Sequence, residues 1–476
     1  MADQSPHSSG LPHAPLTYAD AVDYLFGRIN YERVPTSKYS TNDFQLPRMS
    51  TLLERLGHPE QAIPAVHITG TKGKGSTAVM TAAMLQAAGF KVGLFTSPHL
   101  VRFEERMTVN GELPSEGKIV ELVEKLRTLA ADLESSEETC PTFFELSTAL
   151  AWMVFQDAGC DIVVLEVGLG GRLDTTNLCQ PLVTVITSIS RDHMKLLGET
   201  LELIAREKAG IVKPGVPMLT GVDQPSVLEV IAEVCESKNA PLLRLGHEIN
   251  LDRRTASTPT KGPGQWTIDV RTPSQIFREL RVPLAGEYQT RNAALAIAAV
   301  EAVSQRWPAS PVTPVTRRQL TPISVEQMRA GLSQVTWPLR LEVVQHSPLI
   351  VLDAAHNDAS MKELCTAAAT MSAGRKTLIF GTSRDKEAAA MLSIAGETFD
   401  ELVLTRYTTN PRAWPVDELS ELARSVVSIP VKACDTVHKA LQMVNEECVP
   451  NDLICVAGSF FLAAEAREIL TGPKSH

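Results

Sequence analysis

"AVHITGTKGKGSTAVMTAAMLQAAG" (residues 65–89) changes character twice within a short span. Residues 65–69 are apolar and β-branched, as a strand requires, and residues 76–89 are an Ala/Met-rich helix that ends at Gly89. Between them lie three glycines and two lysines, a poor recipe for a core. A strand, a Gly-rich turn and a helix in that order gather backbone N–H groups and a helix N-terminus at one point, which makes an anion site whose usual tenant is phosphate. Lys74 would meet the β/γ-phosphates and the Ser76 hydroxyl a Mg²⁺ ion. The plainer alternative is a βα turn with solvated lysines. The spacing is not that of G-x-x-x-x-G-K-[ST], because Gly75 stands between Lys74 and Ser76, and the residue five before Gly73 is Ile68.

Outward from this loop, short apolar runs alternate with helical patterns. Strand-like runs follow at 91–97, 161–168, 182–189 and 216–221, with helices such as "GETLELIAREKAGIV" between them. This alternation predicts a parallel sheet covered on both faces. Residues 251–284 are turn-rich and read as a small β-meander insertion, 287–307 as helix, and the Pro/Thr-rich 307–322 as a surface loop before a capped helix at "SVEQMRAGL". A second alternation starts after "TWPLR", with strands "LIVLDA", "KTLIFG", "ELVLTR", "IPVKAC" and "DLICVAG". The fold class is therefore α/β in two domains, 16–338 and 339–476, with the ligand cleft between them; the resemblance given below implies an ATPase-type first domain and a Rossmann-like second one. Residues 1–15 read as a disordered leader.

Of the 476 residues, 44% are hydrophobic and 21% charged, ordinary for a globular enzyme. The net charge of −10 argues against a nucleic-acid surface. The eight cysteines show neither a CxxC pair nor metal spacing, as expected of free thiols in a reducing cytoplasm. No stretch is apolar enough to cross a membrane, so a cytoplasmic protein, expected to be a monomer, follows.

"GTKGKGS" resembles the ATP loop of the Mur ligase superfamily, and the folylpolyglutamate synthase/dihydrofolate synthase branch is the nearest match. Eight blocks occur in that family's order: "GTKGKGS", "TSPHLVRFEERMTVNG", "TFFELSTALA", "LEVGLGGRLDTTN", "SISRDHMKLLGETLELIAREKAGIVK", "QTRNAALA", "TWPLRLEV" and "VLDAAHNDAS". The resemblance implies an ATP- and Mg²⁺-dependent ligase that joins L-glutamate to a reduced folate through an acyl phosphate, with dihydropteroate as a further acid substrate left open. A Mur-type ligase with another acceptor, and a non-catalytic nucleotide-binding protein of the same fold, are the alternatives.

The resemblance also implies roles for individual residues. Gly70, Thr71, Lys72, Gly73, Lys74, Gly75, Ser76 and Thr77 would contact nucleotide, with Asn292 at adenine, Arg340 at phosphate and Asp353 at ribose. Ser76, Glu145 and His193 would hold metal. Lys208, as a carbamate, would help hold a second ion, although a lysine snorkelling out of a helix explains the same sequence. Lys74, His356 and Lys208 form the catalytic set. Gly170, Gly171 and Asp174 neighbour the metal and phosphate site without a fixed role. His99, Arg102 and Arg106 fall in the folate region, although charged residues of this kind equally pair among themselves, and Arg384 and Lys386 would take glutamate carboxylates. Two positions depart from the family pattern, Leu339 and Ala354, where glycine is usual.

Overall fold

The computed structural model describes residues 16–34, 43–131, 133, 140–256, 265–307, 322–371 and 374–472. The expected leader, most of the expected loop at 307–322 and the centre of the insertion (257–264) lie outside them.

Seven strands form the first sheet: β1 (Ala65–Thr69), β2 (Val92–Phe95), β3 (Met107–Val109), β4 (Ile162–Glu166), β5 (Pro181–Ile186), β6 (Met218–Thr220) and β7 (Leu242–Arg244). Their order is β3-β2-β4-β1-β5-β6-β7, parallel except for the edge pair β2–β3. The central strand β1 is buried at every position, as a sheet covered on both faces demands. Val66 and Ile68 pack towards the helices Lys74–Ala87 and Tyr288–Arg306, and Ala65 packs on the opposite face with Trp152 and Phe155 of helix Phe143–Asp157. Helix Lys74–Ala87 is apolar nearly all round because further helices cover the side turned away from the sheet.

The insertion is a three-stranded antiparallel sheet of β8 (Asn250–Ala256), β9 (Gln265–Arg271) and β10 (Ile276–Val282), ordered β10-β9-β8. The predicted helix at 325–333 carries the full capping box between Ser324 and Gln327.

The second sheet contains β11 (Glu342–His346), β12 (Leu349–Leu352), β13 (Lys376–Phe380), β14 (Glu401–Leu404), β15 (Val431–Ala433) and β16 (Leu453–Ala457). The order is β11-β12-β16-β13-β14-β15, and β11 alone runs antiparallel. Sequence patterning missed β3, β7 and β11. The first two have three residues each, too few to show a period, and β11 is a half-exposed edge.

Between the sheets, Leu339 and Leu341 hold left-handed backbone, with φ of 57° and 49°. Both side chains are buried, and Asp353 Oδ2 accepts from Leu341 N at 2.9 Å, which holds the turn. Leu339 therefore adopts the conformation that glycine would take without strain, whereas Ala354 has no positive φ and is compatible with its site.

Candidate active site

The C-terminal ends of both sheets face one cavity of about 760 Å³. The phosphate loop closes one side of it. Gly73, with φ of 85°, is the N-cap of helix Lys74–Ala87, which therefore starts two residues before the sequence pattern placed it. A Cβ on Gly73 would lie 2.3 Å from Asn292 Oδ1, so the loop and helix Tyr288–Arg306 touch through the missing side chain. Gly75 is pressed in the same way by Trp337 at 3.1 Å and Glu166 Oε2 at 3.4 Å. The residue that breaks the usual spacing is thus the point where the domain linker and a buried carboxylate reach the loop.

Lys74, Ser76, Asn292, Arg340, Asp353, His356, His193, Asp174 and Lys386 all line this cavity. The Ser76 hydroxyl accepts from Gln289 Nε2 at 3.3 Å. Asp353 accepts from Ala355 N as well as Leu341 N, and burial pushes its carboxyl up. Thr71 to Gly73 belong to the wall and Gly70 does not, and Thr77 points away, its hydroxyl buried without a partner.

A cationic group spans the two domains. Lys72 Nζ lies 2.9 Å from His356 Nε2, and His356 Nδ1 lies 2.8 Å from Ala354 O. His356 is therefore the Nδ1–H tautomer that accepts from Lys72. Burial pushes His356 down to about 4 and Lys72 down to about 8. Asp192 faces Lys386 (2.9 Å), Asn357 (3.3 Å) and Lys72 (3.4 Å). Burial opposes its charge, but Lys72, His193, His356 and Lys386 hold its carboxyl well below the usual range. Burial also pushes His193 down to about 3.

Six predicted roles are corrected. Glu145 is not free to ligate metal: both carboxylate oxygens accept from Arg48 Nε at 2.9 Å, and Oε2 also accepts from Thr142 N, because Glu145 is the third residue of a capped helix. Glu166, at the C-terminal end of β4, is the carboxylate beside the loop; it accepts from Ser97 N at 3.2 Å, and burial raises its pKa against the pull of Lys74. Lys208 stands behind the loop rather than in the cavity, donating to Gly70 O at 3.0 Å, and burial pushes it down to about 7. His99 accepts from Arg106 Nε at 2.8 Å and packs edge-on to Phe26 and Phe103, a structural role. Arg106 itself is fully buried and paired with Glu32. Arg102 pairs with Glu104 and Glu116, and exposed Arg384 pairs with Glu418, both outside the cavity.

Arg412 occupies the wall where Arg384 was expected, paired with Asp385 and donating to Glu32 O at 3.1 Å. Glu166 was legible as a lone acid closing an apolar strand, and Asp192 as the neighbour of His193. Arg412 carried no signal, since only the chain path brings residues 409–412 against residues 32–33.

Among the described residues no group of three or more His, Cys, Asp or Glu side chains is gathered as a metal cage, and no helix is long and apolar enough to cross a membrane. Mg²⁺ does not require a cage: it binds through one or two carboxylates plus phosphates and keeps several waters. The buried Ser76 hydroxyl and Glu166 carboxylate are hard oxygen donors at a helix N-terminus and fit that habit.

Residues 68–300 match the Mur ligase middle domain and residues 339–460 the Mur ligase glutamate ligase domain. A dihydrofolate synthase/folylpolyglutamate synthase of Bacillus subtilis is 34% identical over 95% of this chain and 99% of its own. A folylpolyglutamate synthase of Lacticaseibacillus casei is 35% identical over 90% of this chain and 95% of its own. Among solved structures, Mycobacterium tuberculosis folylpolyglutamate synthase with ADP superposes with a TM-score of 0.82 at 29% identity, covering 95% of this chain and 98% of that one. A folylpolyglutamate synthase complex with AMPPCP and folate gives 0.79 at 31%, covering 96% of this chain and all of the other.

Proposed function

The chain belongs to the folylpolyglutamate synthase/dihydrofolate synthase family of Mur ligases, and from that premise we propose that it is an ATP-dependent ligase adding L-glutamate to the γ-carboxylate of a reduced folate. The observation that carries the reading is one cavity holding a phosphate loop, buried carboxylates and cations from both domains. Residues 16–338 supply the phosphate loop, and residues 339–476 add Arg340 and Asp353 for the nucleotide and Lys386 and Arg412 for glutamate.

ATP lies with its phosphates on residues 70–76 and Lys74, its base towards Asn292 and its ribose towards Asp353, and Arg340 reaches a phosphate. The folate carboxylate attacks the γ-phosphorus, and ADP leaves behind an acyl phosphate. The glutamate amine attacks the acyl carbon, a tetrahedral intermediate collapses, and inorganic phosphate departs. The protein contributes position and charge: Lys72, oriented by His356, and Lys74 face the transferred phosphoryl group. Ser76, Glu166 and His193 would hold Mg²⁺, which when bound would neutralise phosphate charge. Lys386 and Arg412, whose Nε is buried without a partner, suit glutamate carboxylates. The aromatic side chains of Tyr31, Phe44 and Phe144, which line the same cavity as Asp174, suit the flat folate ring.

The test is ADP release by the purified protein with tetrahydrofolate or dihydropteroate as acid and L-glutamate as amine. Release that needs both acid and glutamate and disappears in Lys74→Ala is expected. Release with neither folate nor pteroate, but with another acid, would replace this reading by a ligase of different acceptor.

A further inference from the structure

We propose that His67 is a positioning residue for the acid substrate, acting through Thr176 on Asp174. The proposal rests on the folate site assigned above. Strand β1 ends in the phosphate loop, but two of its side chains turn the other way, onto the loop that carries Asp174. Thr69 Oγ1 donates to Gly170 O at 2.6 Å, and His67 Nε2 lies 2.8 Å from Thr176 Oγ1.

The chain of protons has one consistent direction. Asp174 Oδ1 accepts from Thr176 Oγ1 at 2.5 Å and from Thr176 N at 3.0 Å, while Oδ2 accepts from Leu169 N at 3.0 Å. The Thr176 proton is thereby committed to Asp174, so its oxygen receives from His67 and fixes the Nε2–H tautomer. Burial pushes His67 down to about 3 and keeps it neutral. Its other nitrogen, Nδ1, is buried with no partner. An unpaired buried acceptor is destabilising, and an apolar residue at this strand position would avoid it. Fold stability therefore does not account for His67, whereas orientation of Asp174 does. His67 sets the hydroxyl, the hydroxyl sets the carboxylate plane, and the carboxylate meets the substrate ring.

The experiment is steady-state kinetics of the full chain, with folate, ATP and glutamate varied in turn. His67→Leu should raise KM for folate about tenfold, one charge-assisted hydrogen bond's worth, and leave kcat and the other two KM values unchanged. His67→Gln, which keeps an N–H donor, should restore most of the loss. Thr176→Val should reproduce the His67→Leu effect, and the double variant should be no worse than either. Thermal midpoints are recorded alongside, and if Leu at 67 does not fold, Thr176→Val carries the same expectation. A joint rise of all three KM values, additive single effects or an unchanged folate KM in Thr176→Val would overturn the proposal. A wild-type chain without folate-dependent turnover would instead remove the functional reading beneath it.

Discussion

Lys386 Nζ, from the second domain, lies 2.9 Å from Asp192 Oδ1, from the first, and both side chains are nearly buried. His356 and Asn357 approach the same carboxylate from the Lys386 side, and Lys72 approaches it from the phosphate loop. One acid thus collects the polar groups of both halves of the cavity. Breaking a buried pair leaves the partner charge uncompensated, and small displacements of catalytic groups are costly.

Asp192→Asn should therefore lower kcat about 100-fold, as misplacement of reacting groups does. Lys386→Ala should do the same, with a double variant no worse than either, because both act on one contact. Additive losses in the initial-rate assay would place the two residues in separate roles.

Glu145 and Glu166 separate structure from chemistry. Glu145→Gln should cost about 1–3 kcal/mol of stability through the lost charge on Arg48 and Thr142, with the Mg²⁺ titration of activity unchanged. Glu166→Gln should keep or raise the thermal midpoint, since burial disfavours its charge, and should reduce kcat about 10²–10³-fold. Thermal melts beside Mg²⁺-dependent rates check both, and a reversed pattern would return the metal to Glu145.

Lys208 gives a pH signature. Its pKa falls from 10.5 to about 7 on folding. Between those values the unfolded chain binds more protons, so this group's contribution to stability rises with pH from about 7 to 10.5. Lys208→Met should flatten that slope, and Lys72, lowered to about 8, should retain a smaller one. Melting midpoints of wild type and variant across pH 6–10 measure it (a parallel pair of curves would refute the buried amine).

Leu339 should invert a familiar order. Removing a buried leucine costs about 2–5 kcal/mol, and glycine ordinarily costs more than alanine. At φ of 57° glycine recovers the left-handed strain, about 1–2 kcal/mol. Leu339→Gly should therefore unfold at a higher denaturant concentration than Leu339→Ala.

Much of this was legible without coordinates. The period of residues 65–89, the alternation on each side of "TWPLR" and the ordered blocks carried the fold class and the phosphate loop, because hydrophobic period and glycine position are local properties. Glu145 shows where local reading fails. The resemblance made it a metal ligand, yet its position at the head of a helix makes it a capping residue, and Arg48, 97 residues away, takes its charge. Arg384 and Arg412 are the parallel case: both are arginines in loops, and only the chain path turns one to solvent and the other into the cavity.

What the sequence alone determined, then, is that a strand, a glycine turn and a helix would make an anion site in a two-domain α/β chain. Tertiary structure decided which charges share that site. Glu166, Asp192 and His67 meet their partners across long sequence separations, where the free energy depends on burial and partner distance, and neither is written in local pattern.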